Sequence, residues 1–140
     1  MMKLNALDKH PDIYRGQLFN EEQDFRISIN QFRHGISFFQ NGTRLFNTHK
    51  ALLLFEKGYP PVVYIPKSDI FQRYFLPSST SSYCPFKGDA NYWSLNVNDE
   101  IVIDGAWEYA NPKENVAAIA GHVAFANFQS RGEFYIYEID

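Results

Sequence analysis

Apolar and polar residues begin to alternate at Phe25, Ile27 and Ile29, with Arg26, Ser28 and Asn30 between them. A period of two is that of a half-buried strand. Two further stretches, 36–40 and 43–47, flank the dipeptide Asn41-Gly42. That pair accepts the two positive φ angles of a type I′ turn, so the segment reads as a hairpin. The run 50–56 is apolar on both faces in its middle, as a central strand is, although a short helical segment gives the same pattern. Gly58, Pro60 and Pro61 interrupt the chain before a strand at 62–65, which Pro66 ends. Ser68 can cap a short helix over 69–76, with Asp69 in its first turn and Pro77 beyond its end. The Ser/Thr stretch 78–82 reads as a flexible loop, and 83–88 as a turn in which Pro85 takes the second position. Strands follow at 90–97 and 101–109, joined at Asn98-Asp99, and 116–125 reads as a helical turn around Gly121 leading into a strand. A strand at 134–139 closes the chain. Roughly eight strands and one short helix predict a mainly β, antiparallel single domain over 25–140. The polar, weakly patterned residues 1–24 read as an N-terminal extension.

Composition agrees with the pattern. The 13 Phe, 9 Tyr and 2 Trp make 17% of the chain aromatic, a bias toward strands. The formal charge of −3 argues against nucleic acid as a partner, since non-specific binding needs a basic surface. No apolar run approaches the roughly 18 residues of a membrane span. With a single cysteine there is no internal disulfide and no Cys-pair zinc site, and His10, His34, His49 and His122 show no ligand spacing. No metal and no cofactor are therefore expected. The first 13 residues hold no apolar run of signal-peptide length, and with a free thiol this suits a reducing cytoplasm. Gly-rich phosphate loops, G-x-S-x-G and H-E-x-x-H are missing.

The candidate chemistry lies in a few side chains. Cys84 and Lys87, three apart, would face opposite ways in a strand, but a turn begun by Pro85 brings their Cα atoms within about 7 Å. An ammonium beside a thiol favours the thiolate, so these two are the candidate catalytic pair. The plainer reading is a small buried cysteine next to a solvated lysine. Alternation puts Lys50, Leu52, Leu54 and Glu56 on one face and pairs Val62 with Tyr64. It also sets Trp107 and Tyr109 opposite Ala106 and Glu108. Trp107 and Tyr109 form an aromatic wall, which is either core or the side of a ligand pocket with polar tips.

Several stretches occur in order that carry a resemblance. They are Asn41-Gly42, Lys50-Ala51-Leu52, Glu56, Pro61, Tyr64-Ile65-Pro66 with Asp69, 84–92, Ala106-Trp107-Glu108-Tyr109 with Pro112, and 119–125. Together they resemble the small bacterial and fungal family catalogued as domain of unknown function four-two-seven, which some catalogues label nucleotidyltransferase-like. The resemblance covers about 25–125 and implies a compact β-tent-like fold. Relatives of that architecture often carry zinc on two cysteine pairs, which this chain lacks, and His122 stands where the family more often has Tyr. The polar positions matching the family pattern are Lys50, Glu56, Tyr64, Asp69, Cys84, Lys87, Trp107 and Tyr109. Nucleotidyl transfer usually needs closely spaced carboxylates for Mg²⁺, and there is no D-x-D or D-x-E here.

The sequence thus predicts a domain that binds a small molecule of unspecified identity in an aromatic pocket. Cys84 and Lys87 are its candidate catalytic groups, and Lys50, Glu56, Tyr64, Asp69, Trp107 and Tyr109 its candidate ligand contacts. The alternatives are a protein-interaction module using an aromatic surface or a sheet edge and, behind it, a nucleotidyltransferase. Nothing in the chain specifies an oligomeric state.

Overall fold

Two tight turns of the same kind fix the ends of two hairpins. Strands β3 (Gly35–Gln40) and β4 (Thr43–Thr48) meet at Asn41 and Gly42, with φ of 50° and 75°. Strands β8 (Gly88–Val97) and β9 (Glu100–Glu108) meet at Asn98 and Asp99, with φ of 52° and 66°. Asn residues tolerate this left-handed region better than most, because their short polar side chains bond locally. Here those amides also bind the two turns to each other. Asn41 Nδ2 donates to the Val97 carbonyl at 3.3 Å, and Asn98 Nδ2 donates to Thr43 Oγ1 at 2.9 Å.

The computed structural model describes residues 2–3, 26–125 and 133–137, with side chains over 26–125. The remaining strands are β1 (Met2–Lys3), β2 (Ile27–Gln31), β5 (Leu52–Glu56), β6 (Val62–Pro66), β7 (Phe75–Cys84), β10 (His122–Phe125) and β11 (Glu133–Tyr137). They form a four-stranded sheet, β1-β11-β3-β4, and a seven-stranded sheet, β2-β5-β6-β10-β9-β8-β7. All neighbours run antiparallel. The mainly β, antiparallel architecture is the one expected. Of the expected extension 1–24, Met2–Lys3 pairs with β11, and 4–24 lie outside the described residues.

The small sheet packs on one face of the large one, and aromatic rings fill the interface. Phe38, Phe46 and Phe125 meet with centroids 5.0 to 5.8 Å apart. Such ring contacts add to the stability that burial alone gives. The buried residues Leu53, Ile65, Leu95 and Val123 close this core from the large sheet. A second core lies on the opposite face of the large sheet, where Leu54, Tyr64, Ala90, Tyr109 and Ala124 are covered by Val116 and Ile119. Those two belong to a 3-10 segment, Glu114–Ile119, and Gly121 at φ 73° then turns the chain into β10. The apolar run at 50–56 is thereby accounted for: Leu53 enters one core, Leu52 and Leu54 the other. Strand β5 is paired on both sides, by β2 and β6.

Two segments differ from expectation. Residues 69–76 are not a continuous helix but two single 3-10 turns, Lys67–Asp69 and Gln72–Tyr74, followed directly by β7. Ser68 supplies no cap hydrogen bond. Ile70 instead is extended, bridges Phe46 and is buried, while the Phe71 N–H donates to the Leu45 carbonyl at 3.0 Å. Anchoring to β4 outweighs local helix propensity, which Ile and Phe support weakly. Residues 78–82 are not a loop either. They are the middle of β7, an edge strand paired to β8 with a register shift between Pro77 and Ser81. The shift is stitched by Asp104, whose carboxylate accepts from Ser78 and from Thr80 Oγ1 at 2.8 Å.

Candidate functional site

The turn from β7 to β8 starts the site. The Lys87 N–H donates to the Cys84 carbonyl at 3.2 Å, closing a four-residue turn with Pro85 at its second position. Gly88 follows at φ 109°, and a Cβ there would meet the Asn111 carbonyl oxygen at 3.4 Å. A side chain would be strained by this φ and would touch that carbonyl. The segment after β9 holds the turn from outside: the Lys113 N–H donates to the Lys87 carbonyl at 2.9 Å, and its Nζ to that of Pro85 at 2.6 Å.

This anchored turn aims Lys87 across the second core. Its Nζ donates to Glu56 Oε1 at 2.7 Å and lies 3.9 Å from Cys84 Sγ and 5.9 Å from the centre of the Tyr109 ring. The Lys87 and Glu56 side chains are only 13% and 10% exposed. Glu56 ends β5, four strand steps from β8 in the sheet order. Four steps of about 4.8 Å would be roughly 19 Å in a flat sheet, too far for a direct ion pair. The face that holds them is therefore curved, and the residues between them line its hollow side.

Alternation supplies that lining. Tyr64 from β6, Tyr92 from β8, and Trp107 and Tyr109 from the end of β9 project to this face with Leu54 and Ala90. Tyr64 and Tyr109 are buried, at 1% and 8% exposure, whereas Tyr92 and Trp107 are half-buried. Their rings are 6.4 Å apart and tilted by 40°. The Tyr92 hydroxyl is hydrogen-bonded to Ser82 Oγ at 2.8 Å. Burial pushes the Tyr64 phenol well above its ordinary value, and the hydrogen bond from Trp107 draws it partly back. The Tyr109 phenol is pushed up to about 12 by burial, with Cys84, Tyr92 and Glu56 adding to the effect. Both therefore remain neutral O–H groups near pH 7.

Arg26 borders the site on the β2 side. Its guanidinium lies 4.0 Å from Glu56 Oε2 and stacks on the Phe86 ring at 3.9 Å. The face thus offers one enclosed ammonium, phenol hydroxyls, a thiol and two flat aromatic surfaces. That set can bind a small molecule through stacking and a few convergent polar contacts. Among the described residues, no group of three or more His, Cys, Asp or Glu could hold a metal ion. No helix among them is long and apolar enough to cross a membrane.

Of the residues singled out in the sequence, the structure brings together Cys84, Lys87, Glu56, Tyr64, Trp107 and Tyr109. Two stand apart from them. Lys50 is exposed before β5, its N–H donating to Thr48 Oγ1 at 3.0 Å. The Asp69 carboxylate accepts from the Thr48 hydroxyl at 2.7 Å. Glu108 lies on the other face of β9 and pairs with Lys67 at 3.1 Å. Sequence reasoning passed over Tyr92, which alternation from Ala90 would have placed on this face. It also passed over Arg26, whose position depends on the pairing of Ile27 with Glu56 between distant strands.

The fold and this face define a two-sheet antiparallel β domain with a curved aromatic surface around an enclosed Lys–Glu pair. Residues 28–135 match the sequence profile of the family described as Domain of unknown function (DUF427), and the chain belongs to that family. No curated protein matches the chain.

Proposed function

We propose that this domain binds a small molecule on the curved face, with Lys87 as the polar anchor and Trp107 and Tyr92 as the flat contacts. The observation that carries the reading is the Lys87–Glu56 pair, 2.7 Å apart and nearly enclosed among aromatic side chains. Taking two charges out of water costs several kcal/mol per ion, and an apolar pair of similar volume would serve stability as well or better. Keeping a charged pair in such a place supports the reading of a functional site. The neighbouring polar tips, Cys84 Sγ and the Tyr64 and Tyr109 hydroxyls, support recognition of a ligand with its own polar groups.

The chain's two tryptophans make the test direct. Trp93 stacks on Phe75 on the other face of the sheet, so Trp93→Phe leaves Trp107 as the sole indole reporter. In a screen of metabolites and cofactors, a true ligand changes Trp107 emission and raises the melting temperature of this variant, since binding the native state stabilises it. Replacing Trp107 by Ala abolishes that melting shift in the parent chain. A ligand whose stabilisation survives Trp107→Ala unchanged contradicts the proposal, as does a broad screen without a stabilising compound.

A further inference from the structure

We infer that the molecule bound on the curved face carries an oxyanion, a carboxylate or a phosphate ester, attached to a flat apolar body, with the oxyanion at Lys87. The inference rests on the ligand-binding reading above and specifies the ligand's class. The chain as a whole is acidic, with a formal charge of −3, yet the surroundings of the β7–β8 turn have the opposite sign. Two cations face the site there, Lys87 and Arg26 on the Phe86 ring, while the Lys113 ammonium on the Pro85 carbonyl lies over the Tyr83 ring, on the side of β8 that Asp89 takes. Among the described residues, one carboxylate, Glu56, faces them, with Lys87 at 2.7 Å and Arg26 at 4.0 Å. The nearby Asp89 does not offset them. It is one residue out of phase with Ala90 and Tyr92 and so points to the opposite face of β8. Glu114 is exposed at the head of the covering segment.

An ammonium has three donors. Glu56 takes one at 2.7 Å, and the 3.9 Å approach to Cys84 Sγ is long and weak. Among the described residues Lys87 therefore has donor capacity for a second acceptor, and the Tyr109 hydroxyl is a further neutral donor on the same side. Cationic ligands are disfavoured because Lys87 already lies over the Tyr109 ring, 5.9 Å from its centre, where an ammonium guest would sit. The half-buried Tyr92 and Trp107 rings supply the flat surface for the rest of the molecule.

Matched probes with one aromatic body and different head groups test this: phenylacetate, phenyl phosphate, phenylacetamide and phenethylamine, with the corresponding naphthyl series. Binding is followed by Trp107 emission and melting temperature in the Trp93→Phe chain. The anionic members should bind about tenfold or more tightly than the amides, since charge-assisted hydrogen bonds are roughly twice as strong as neutral ones. The advantage should shrink as ionic strength rises. Lys87→Met should erase it. Glu56→Gln, which removes the competing charge and keeps an acceptor for Lys87, should strengthen anion binding several-fold and guards against misfolding of the lysine variant. Tighter binding of phenyl phosphate than of phenylacetate assigns the head group as a phosphate ester, and the reverse as a carboxylate. Equal binding of anion and amide overturns the oxyanion inference while leaving the ligand-binding reading intact. Preference for phenethylamine, with loss of binding in Glu56→Gln, overturns it in favour of cation recognition. If no member binds and the metabolite screen is also empty, both fall together.

Discussion

Lys87 is held by groups that would each be poorly satisfied without it. Its partner Glu56 retains only 10% of its side-chain exposure, so removing the ammonium leaves a nearly enclosed carboxylate with Arg26 4.0 Å away. Breaking a buried pair from one side is costly, whereas replacing both partners by apolar groups is often close to neutral. Lys87→Met should therefore lower the unfolding free energy by about 2–3 kcal/mol, and adding Glu56→Leu should restore most of it. Urea denaturation of the two variants checks this, and a cost below about 0.5 kcal/mol for the single change would mean the pair is effectively solvated. The tyrosines give a pH signature. Tyr109 has its pKa raised from 10.0 to about 12 in the folded chain, and Tyr64 is raised as well. A raised value means the folded state holds its proton while the unfolded state has lost it. The associated stability is thus full below pH 10 and is lost as pH rises through 10 toward 12. Replacing both residues by Phe should flatten the alkaline decline between pH 10 and 12 in a denaturation series. An unchanged slope would place the two phenols in water.

The hairpin turns do more than connect strands, and the turn at 84–88 does most for the site. Gly88 combines φ 109° with a close approach to the Asn111 carbonyl, whereas Gly42 at φ 75° faces open space. Ala at either position is strained, by about 1–3 kcal/mol. Only at Gly88 should the change also disturb the site, seen as a shift in Trp107 emission and faster alkylation of Cys84. If Gly42→Ala alters the site as much as Gly88→Ala does, the turn is not what positions Lys87. These elements also divide by how far they could be read in the sequence. Asn41-Gly42 and Asn98-Asp99 were legible because the signal for a primed turn is contained in two adjacent residues. The parity of Leu52, Leu54 and Glu56, and the Cys84–Lys87 turn, were legible for the same local reason. Residues 69–76 were misread as a helix because Ile70 is claimed by Phe46, more than twenty positions away. The serines of 78–82 looked like a loop because an edge strand needs no apolar face, only a neighbour such as β8.

Across the whole molecule the seven-stranded sheet is shared between two tasks. One face, with Leu53, Ile65, Leu95 and Val123, is committed to the aromatic core beneath the small sheet. The other is sealed by Val116 and Ile119 over part of its area and leaves Tyr92, Trp107 and Cys84 half-buried at the margin of the seal. Stability thus resides mainly in one layer, and the second layer is free to hold an enclosed charge pair and unused hydrogen-bonding groups. That division explains why the site residues found in sequence converge from β5, β6, β9 and the β7–β8 turn, while Lys50 and Asp69, which match the same family pattern, lie elsewhere. The central claim is that the curved face is where a small molecule binds. Backbone and indole N–H chemical shifts, recorded while the Trp107-responsive compounds are titrated in, test it most directly. The account predicts saturable shifts at Tyr64, Cys84, Lys87 and the Trp107 indole, with the Trp93 indole unmoved. Shifts confined to the exposed Ile101 and Ile103 on β9, with the Trp107 indole unchanged, would contradict it.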